Sequence, residues 1–574
     1  MKQMITRLLH YKRMTAIVVF FLIMQSIVEL LLPTLLAVMI DRGVVNQDLS
    51  YIIRIGFIML GIAALGGIST VISSYYSAKI GLGISYQIRE DLFKKATRFS
   101  LHEFNAIGTS SLITRTTNDV IQVQNFLIFA LRMFIRAPIM ALGGIILAIS
   151  VDPSLSLVLA VAVIFLVVLI ISITRRTTVL YKKMQERIDD LNLLLRERIT
   201  GIRVLRAFIR EDDQLDKFKE NNQDLTETAI TINRIMAVMM PSMMLIMSFS
   251  TVAILWFGAM RVEAGAMMVG NLIAFIQYAM LILFSFIMIT VIFIMYPRAS
   301  VSAERINEVI GLDFEITDAE EAADIDAIES IEYEQVSFRY SPESEEVLKD
   351  VSFTVSKGQK IGIIGGTGSG KTSLLHLLLR FYEPVSGEVR INGIPLPEIS
   401  QKSLRAQIGY VPQDSFVLSG TIADNISFAC EALSKEEMAE VAAAAQLESF
   451  INEQEKGYQA EVYQSGKNLS GGQKQRLNMA RAFAKNPSVY LFDDSFSALD
   501  YKTDYLIRKK IQEDTREAIV IMVAQRVTTI MDADLILVLH KGEIAGAGTH
   551  KELLEESKIY REIVYSQLTE EEVS

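Results

Sequence analysis

Lys360-Ile361-Gly362-Ile363-Ile364-Gly365-Gly366-Thr367-Gly368-Ser369-Gly370-Lys371-Thr372-Ser373 runs an apolar strand into a glycine-rich turn and out into an apolar helical segment, 373–381. Gly365 to Thr372 fits the spacing G-x-x-x-x-G-K-[ST] in its required setting of strand, loop and helix. Chemistry explains the spacing. Glycines let successive backbone N–H groups curl around phosphate oxygens, and the start of the following helix favours the anion. Lys371 can reach the outer phosphates, the Thr372 hydroxyl can bind Mg²⁺, and Ser373 continues the helix behind them. The stretch predicts an α/β nucleotide-binding domain.

Working outward, 331–340 and 347–355 are β-rich runs that open this domain near residue 328. Downstream, the apolar strand Val489-Tyr490-Leu491-Phe492 ends at Asp493. A carboxylate at a strand end beside a phosphate loop is placed to hold Mg²⁺ through water. Asp494 follows at once, which suggests one carboxylate for the metal and one beside an attacking water. Between these elements lies Leu469-Ser470-Gly471-Gly472-Gln473.

The first 310 residues differ in kind. Of the 574 residues 51 % are hydrophobic, and residues 1–310 hold 30 Lys/Arg against 22 Asp/Glu, the remainder 26 against 44. A basic, membrane-associated half thus precedes an acidic, soluble one, and the acidic half lacks the footprint that nucleic acid needs. The single cysteine, Cys430, excludes a disulfide framework within the chain and reads as a small buried residue. A span needs about 20 mostly apolar residues. Six stretches qualify: 15–40, 52–76, 132–150, 154–174, 236–260 and 270–296. Val151-Asp152-Pro153 makes the third and fourth a tight hairpin. Lys/Arg cluster from Lys79 to Arg115 and from Arg175 to Arg234, while the opposite loops carry only Arg42, Arg54 and Arg261. The positive-inside bias therefore puts the N-terminus, both long loops and the acidic half in the cytoplasm. The start shows no cleavable signal, and 1–14 reads as an amphipathic helix at the cytoplasmic interface. The long inner loops keep helical periodicity, as in Ile188, Leu191, Leu194, Leu195, Ile199 and Ile202, with turns near 105–111 and 207–213. Arg132 and Arg136 open the third span and can snorkel to a cytoplasmic surface. Gln25 and Glu29 lie within the first span, as a functional group or a contact between helices. Met236, Met239, Met240, Met243, Met244 and Met247 read either as a face towards a cavity or as packing.

With these pieces in this order the chain resembles the ATP-binding-cassette exporters in which six spans precede one cassette. Residues 469–473 are similar to the family's signature, Tyr340 to the aromatic that stacks on adenine, and Gln413 to the Q-loop residue that joins Thr372 and Asp493 around Mg²⁺. Ser497-Ala498-Leu499-Asp500 resembles the D-loop. The fold class implied is an α-helical transmembrane domain, with six spans and long cytoplasmic helical extensions, fused to an α/β P-loop ATP-binding cassette. Its divisions fall at 1–310 for the membrane domain, 311–327 for a linker and 328–574 for the cassette. The resemblance further implies ATP and Mg²⁺ as ligands and a second homologous half-transporter as partner. Two cassettes pair head to tail, so that each signature faces the other chain's phosphate loop. Coupling helices are expected near 112–118 and 206–212. A multi-pass place in a bacterial plasma membrane and amphipathic substrates or drugs follow from the same likeness.

Two positions depart from the family pattern. Asp493 matches the family's Walker-B Asp, and the residue after it is Asp494 where the family has Glu; the switch residue after Val520-Ile521-Met522-Val523-Ala524 is Gln525 where the family has His. Asp keeps the charge on a shorter arm, and Gln cannot carry an imidazolium charge. Together they suggest a degenerate site that binds ATP and hydrolyses it poorly. The unaltered signature then serves a different partner chain that has its own Glu and His. A homodimeric exporter with slow hydrolysis and a non-transporting ATP-binding membrane regulator are the competing readings.

Overall fold

In a computed structural model, which describes residues 1–430, 433–514 and 516–568, the chain divides into two units. One comprises Met1–Thr97 with Ser110–Leu312, the other Arg98–Thr109 with the chain from Asp313 onward. The helices of the N-terminal part are α1 (Gln3–Val44), α2 (Leu49–Ala96), α3 (Leu101–Ile107), α4 (Thr109–Val151), α5 (Pro153–Thr200), α6 (Ile202–Ala207), α7 (Glu211–Glu263) and α8 (Val269–Gly311). All but the short α3 and α6 are long and apolar enough to cross a membrane. Their 42 to 53 residues exceed the ~20 a bilayer requires, so each continues well past the apolar stretch. That is the expected architecture, and α4 begins far ahead of the 132–150 stretch that carries its apolar signal.

Polar residues fix the register between these helices. Asp152 caps α5 by accepting from the N–H groups of Ser154 (2.8 Å) and Leu155 (3.0 Å), and its other oxygen takes the Arg261 guanidinium of α7. Asp41 accepts from Gly270 N at 2.7 Å, and a Cβ at Gly270 would stand 2.3 Å from Ala37 O, so α1 and α8 touch backbone to backbone. Thr34 and Tyr278 share a 2.6 Å hydrogen bond. Large apolar side chains such as Phe57, Leu157, Phe249 and Trp256 face outward, as a lipid-facing surface requires.

Arg136 does not snorkel: its Nη2 pairs with Glu29 at 2.7 and 2.8 Å, because α1 and α4 bring the two charges level. The methionines of α7 share one side of the helix by their spacing, yet they do not form one cavity-facing row, because that side meets different surroundings along its length. Met243 is buried, Met240 and Met244 are exposed, and Met247 reaches a cavity. The N-terminal segment is helical, with Met4 buried in protein, Ile5 and Leu9 exposed, and Arg7 paired with Asp91 of α2 at 2.7 Å. Finally, 112–118 is part of the continuous α4, and the separate short helix is α3. Ser100 caps α3 in a reciprocal box with Glu103 (2.7 and 3.2 Å), and Gly108 ends it at φ +78°. Within its unit, Glu103 also accepts from Glu315 N at 2.8 Å, and His102 meets the Glu315 carboxylate at 2.9 Å. The second short helix, α6, ends at 207, where 206–212 was expected to hold it.

The cassette is built on two large sheets, beside a two-stranded pair of Gly420–Thr421 with Glu461–Val462. The first is antiparallel and includes β1 (Ser330–Phe338), β2 (Leu348–Ser356) and, downstream, β4 (Ser386–Ile391). The second contains β3 (Lys360–Gly365), β5 (Ile408–Val411), β6 (Val489–Asp493), β7 (Ile519–Val523), β8 (Leu535–His540) and β9 (Glu543–Gly548) in the order β9-β8-β3-β7-β6-β5. Every pair in it is parallel except β8 with β9. Val489 to Asp493 and Ile519 to Val523 are buried at every position, the continuous apolar run typical of a parallel strand covered on both faces. Cys430, by contrast, is only partly buried, its thiol 3.5 Å from Ala484 O.

Candidate nucleotide site

Register decides what the second sheet presents at its carboxyl edge. Val523 of β7 is level with Ile363 of β3 on one side and with Asp493 of β6 on the other, while Val411 of β5 is level with Phe492. Just past those levels come the glycine loop, Gln525, Asp493 with Asp494, and Gln413. Four neighbouring parallel strands therefore deliver every expected phosphate-side residue to one edge, where α/β sheets bind ligands.

The loop after β3 is a backbone cradle. Gly366, Thr367 and Gly368 are exposed at its crest, while Ser369 and Gly370 are buried. A Cβ on Gly365 would lie 2.2 Å from Leu539 O, and Gly370 adopts φ +100° with Leu348 Cδ2 2.6 Å from where a Cβ would stand. The buried Ser369 Oγ has no hydrogen-bond partner among the described residues. At the start of α9 (Lys371–Leu378), Lys371 Nζ donates to Gly365 O (2.9 Å) and Gly366 O (2.8 Å), over the mouth of the loop. Burial holds its pKa below the ordinary lysine value, with Asp494 and Asp493 opposing. An exposed curl of backbone, an orphaned hydroxyl and a half-buried ammonium fit a polyphosphate.

Thr372 Oγ1 donates to Asp493 Oδ1 at 3.0 Å. Burial raises the Asp493 pKa, and the Thr372 hydroxyl opposes the rise. Among the described residues no group of three or more His, Cys, Asp or Glu could hold a metal. A hydroxyl beside one carboxylate, with the Gln413 amide at the same edge, suits Mg²⁺, which is commonly held by one or two protein oxygens together with substrate phosphates. Asp494 stands at φ +46°, its N–H bonded to Val523 O at 3.0 Å. Its Oδ2 accepts from Gln525 Nε2 at 2.7 Å and lies 3.5 Å from Gln413 Nε2. Burial raises this carboxyl's pKa, while Lys371 and then Gln525 oppose. Tyr340 is part-exposed, its hydroxyl 2.8 Å from Ser373 Oγ and its ring edge-on to Phe338 and Tyr382.

The signature builds a helix start. Ser470 caps α10 (Gly471–Ala484) in a reciprocal box with Gln473, at 2.8 and 3.2 Å. Leu469 packs against the core, whereas Ser470 and Gly471 are exposed. A Cβ on Gly472 would stand 3.4 Å from Ala498 O, so signature and D-loop lie side by side. Ser497 Oγ donates to Asp494 O (2.9 Å), Asp500 caps Thr503 N (3.0 Å), and Leu499 is buried between them. One residue had no signal in the sequence. Gln567, just past α11 (Lys558–Tyr565), donates to Gln525 O at 2.8 Å and accepts from Val527 N at 2.9 Å, so the C-terminal segment clips the loop that carries Gln525. A lone glutamine outside any motif gives no warning of that contact.

Six apolar helices joined to a phosphate-binding cassette define a membrane transporter half driven by nucleotide. The family of the ABC transporter transmembrane region matches residues 15–286 and the ABC transporter family residues 348–497. The chain belongs to the ABC transporters, as a half-transporter of the exporter type with an ATP-binding cassette. It is 36 % identical over 572 residues to YfiB of Bacillus subtilis, described as an uncharacterized ABC transporter ATP-binding protein, covering 100 % of this chain and 99 % of that one. It is 34 % identical over 382 residues to YheI of the same organism, described as a probable multidrug resistance ABC transporter ATP-binding/permease protein, covering 67 % and 65 %. A bacterial Atm1-family ABC exporter with ATP bound superposes with a TM-score of 0.82 at 25 % identity, over 97 % of this chain and 99 % of that one.

Proposed function

We propose that the chain is one subunit of a heterodimeric exporter of amphipathic compounds or drugs in a bacterial plasma membrane, with its N-terminus and cassette in the cytoplasm. Its own Walker residues bind Mg²⁺ and ATP at a degenerate site. Its signature completes the competent site of a partner that carries Glu and His at the two altered positions.

The observation that carries this reading is the Gln525 Nε2 to Asp494 Oδ2 bond of 2.7 Å. A general base must come within about 2.6–3.2 Å of the proton it takes. Asp494 is one carbon shorter than the family's Glu, and one of its oxygens already accepts from an amide. The arrangement favours a stationary carboxylate over one free to engage water. The exposed Ser470, Gly471, Ser497, Ala498 and Asp500 suit a signature and D-loop offered to another chain. So do Phe208 and Ile209, 73 % and 85 % exposed just beyond α6, where a coupling helix would dock on a partner cassette. The description of YheI supports the drug class.

The test is co-purification of the assembled transporter followed by efflux from vesicles. The reading expects a second, different half-transporter chain, whose own signature departs from L-S-G-G-Q, and ATP-driven movement of an amphipathic dye only when both chains are present. A homodimer that exports alone refutes it.

A further inference from the structure

The membrane unit contains a cavity of about 410 Å³ that the nucleotide chemistry does not use. Its lining is mostly apolar and deformable, with Met140, Met247, Met280, Met288 and Phe284, but at one side stand Glu29 of α1 and Arg136 of α4. A charge pair is costly within lipid and needs a reason to be there. Its hydrogen bonds are unevenly shared. Glu29 is largely engaged: Oε1 accepts from Arg136 Nη2 (2.7 Å) and from Gln25 Nε2 (3.0 Å), and Oε2 accepts from the same Nη2 (2.8 Å). Arg136 commits only that one nitrogen, and its buried Nε has no partner among the described residues. A guanidinium offers five N–H donors and no acceptor, and a carboxylate about four lone-pair sites, so the pair as a whole has more donors than acceptors to spare.

Resting on the exporter reading above, we propose that this cavity selects amphiphiles with an oxyanion head, a carboxylate or phosphate, which Arg136 receives while the methionine-lined wall takes the apolar body. Glu29 is a positioning residue: it neutralises Arg136 in the absence of cargo and holds the guanidinium at the cavity wall. A cationic head finds Glu29 already engaged by Arg136 and Gln25, and a neutral head gains the donors without the charge.

The experiment uses the full chain with its co-purified partner in nanodiscs of zwitterionic lipid. Binding is measured for dodecanoate, dodecyl phosphate, dodecyl maltoside and dodecyltrimethylammonium, which share one tail. The anionic heads are expected to bind about tenfold or more tightly than the other two. Arg136→Gln should erase that preference, and Glu29→Gln, which releases Arg136, should strengthen it. Because breaking a buried pair can unfold the chain, the double variant Glu29→Gln with Arg136→Gln removes both charges together and should fold without preference. Equal binding of all four heads by the wild type, or an anion preference that survives in the double variant, overturns the proposal. Adding phosphatidylglycerol to the nanodiscs identifies the source: competition marks a lipid headgroup, and its absence a free amphiphile, either of which carries the same oxyanion. Efflux from vesicles is scored separately. Head-group selectivity without ATP-driven movement defeats the exporter reading alone, and movement without selectivity defeats this inference alone.

Discussion

Replacing Asp494 by Glu together with Gln525 by His should awaken this chain's own nucleotide site. The carboxylate is now held by a 2.7 Å amide bond, and a hydrogen bond to a charged group contributes about 1.5–3 kcal/mol, which an attacking water would have to displace. Glutamate adds one carbon–carbon bond, about 1.5 Å of reach, and Gln525→His takes away the amide that now holds the carboxylate. There is a cost. Residue 494 sits at φ +46°, where a longer side chain is disfavoured by about 1–2 kcal/mol, so the unfolding temperature should drop by a few degrees. Against that, a positioned general base is worth about 10²–10⁴ in rate. The assay is Mg²⁺-dependent phosphate release from the assembled transporter with the partner's phosphate-loop lysine replaced, so that only this site can turn over. The double variant is expected to gain about a hundredfold, and Gln525→Ala, which frees the carboxylate without lengthening it, less than about tenfold. A double variant that folds and binds ATP yet turns over no faster would refute the idea that the held, short carboxylate limits this site.

Gly370→Ala forces a side chain at φ +100° to within 2.6 Å of Leu348 and 2.9 Å of Val347 O; it should cost about 1–3 kcal/mol and abolish ATP binding, read by thermal unfolding and nucleotide titration. Gln567→Ala removes two hydrogen bonds from the switch loop, about 1–3 kcal/mol in all, and hydrogen exchange should quicken at 525–527 before it changes elsewhere. Burial holds His376 and His550 below the ordinary 6.5, so the unfolded chain takes up protons there more readily than the folded one. Stability on their account is complete above that value and falls as pH drops below it, and His376→Phe should flatten the fall in unfolding temperature measured from about pH 7.5 to about 5.5.

The parts of this molecule legible in its sequence are those set by local chemistry. The phosphate loop needs its glycines, lysine and threonine in one short run, and apolar length alone announces a span. Even α3 has a local signal: Ser100-Leu101-His102-Glu103 is a capping box, and it marks the start of the short helix at 101–107 rather than 112–118. What depends on register between distant segments left no such mark. Glu29 and Arg136 are 107 positions apart, and their pairing follows from how α1 packs on α4. The Gln567 clip likewise exists only once the C-terminal helix has folded back beside β7.

The most direct test of the central claim is to measure ATP binding and Mg²⁺-dependent hydrolysis of this chain alone in lipid nanodiscs, with Lys371→Ala as control. The account predicts ATP binding that the control loses, with negligible turnover until the partner chain is added. Turnover by the isolated chain at about 1 per second or more, abolished by Lys371→Ala, would contradict it and make a homodimeric exporter the better description.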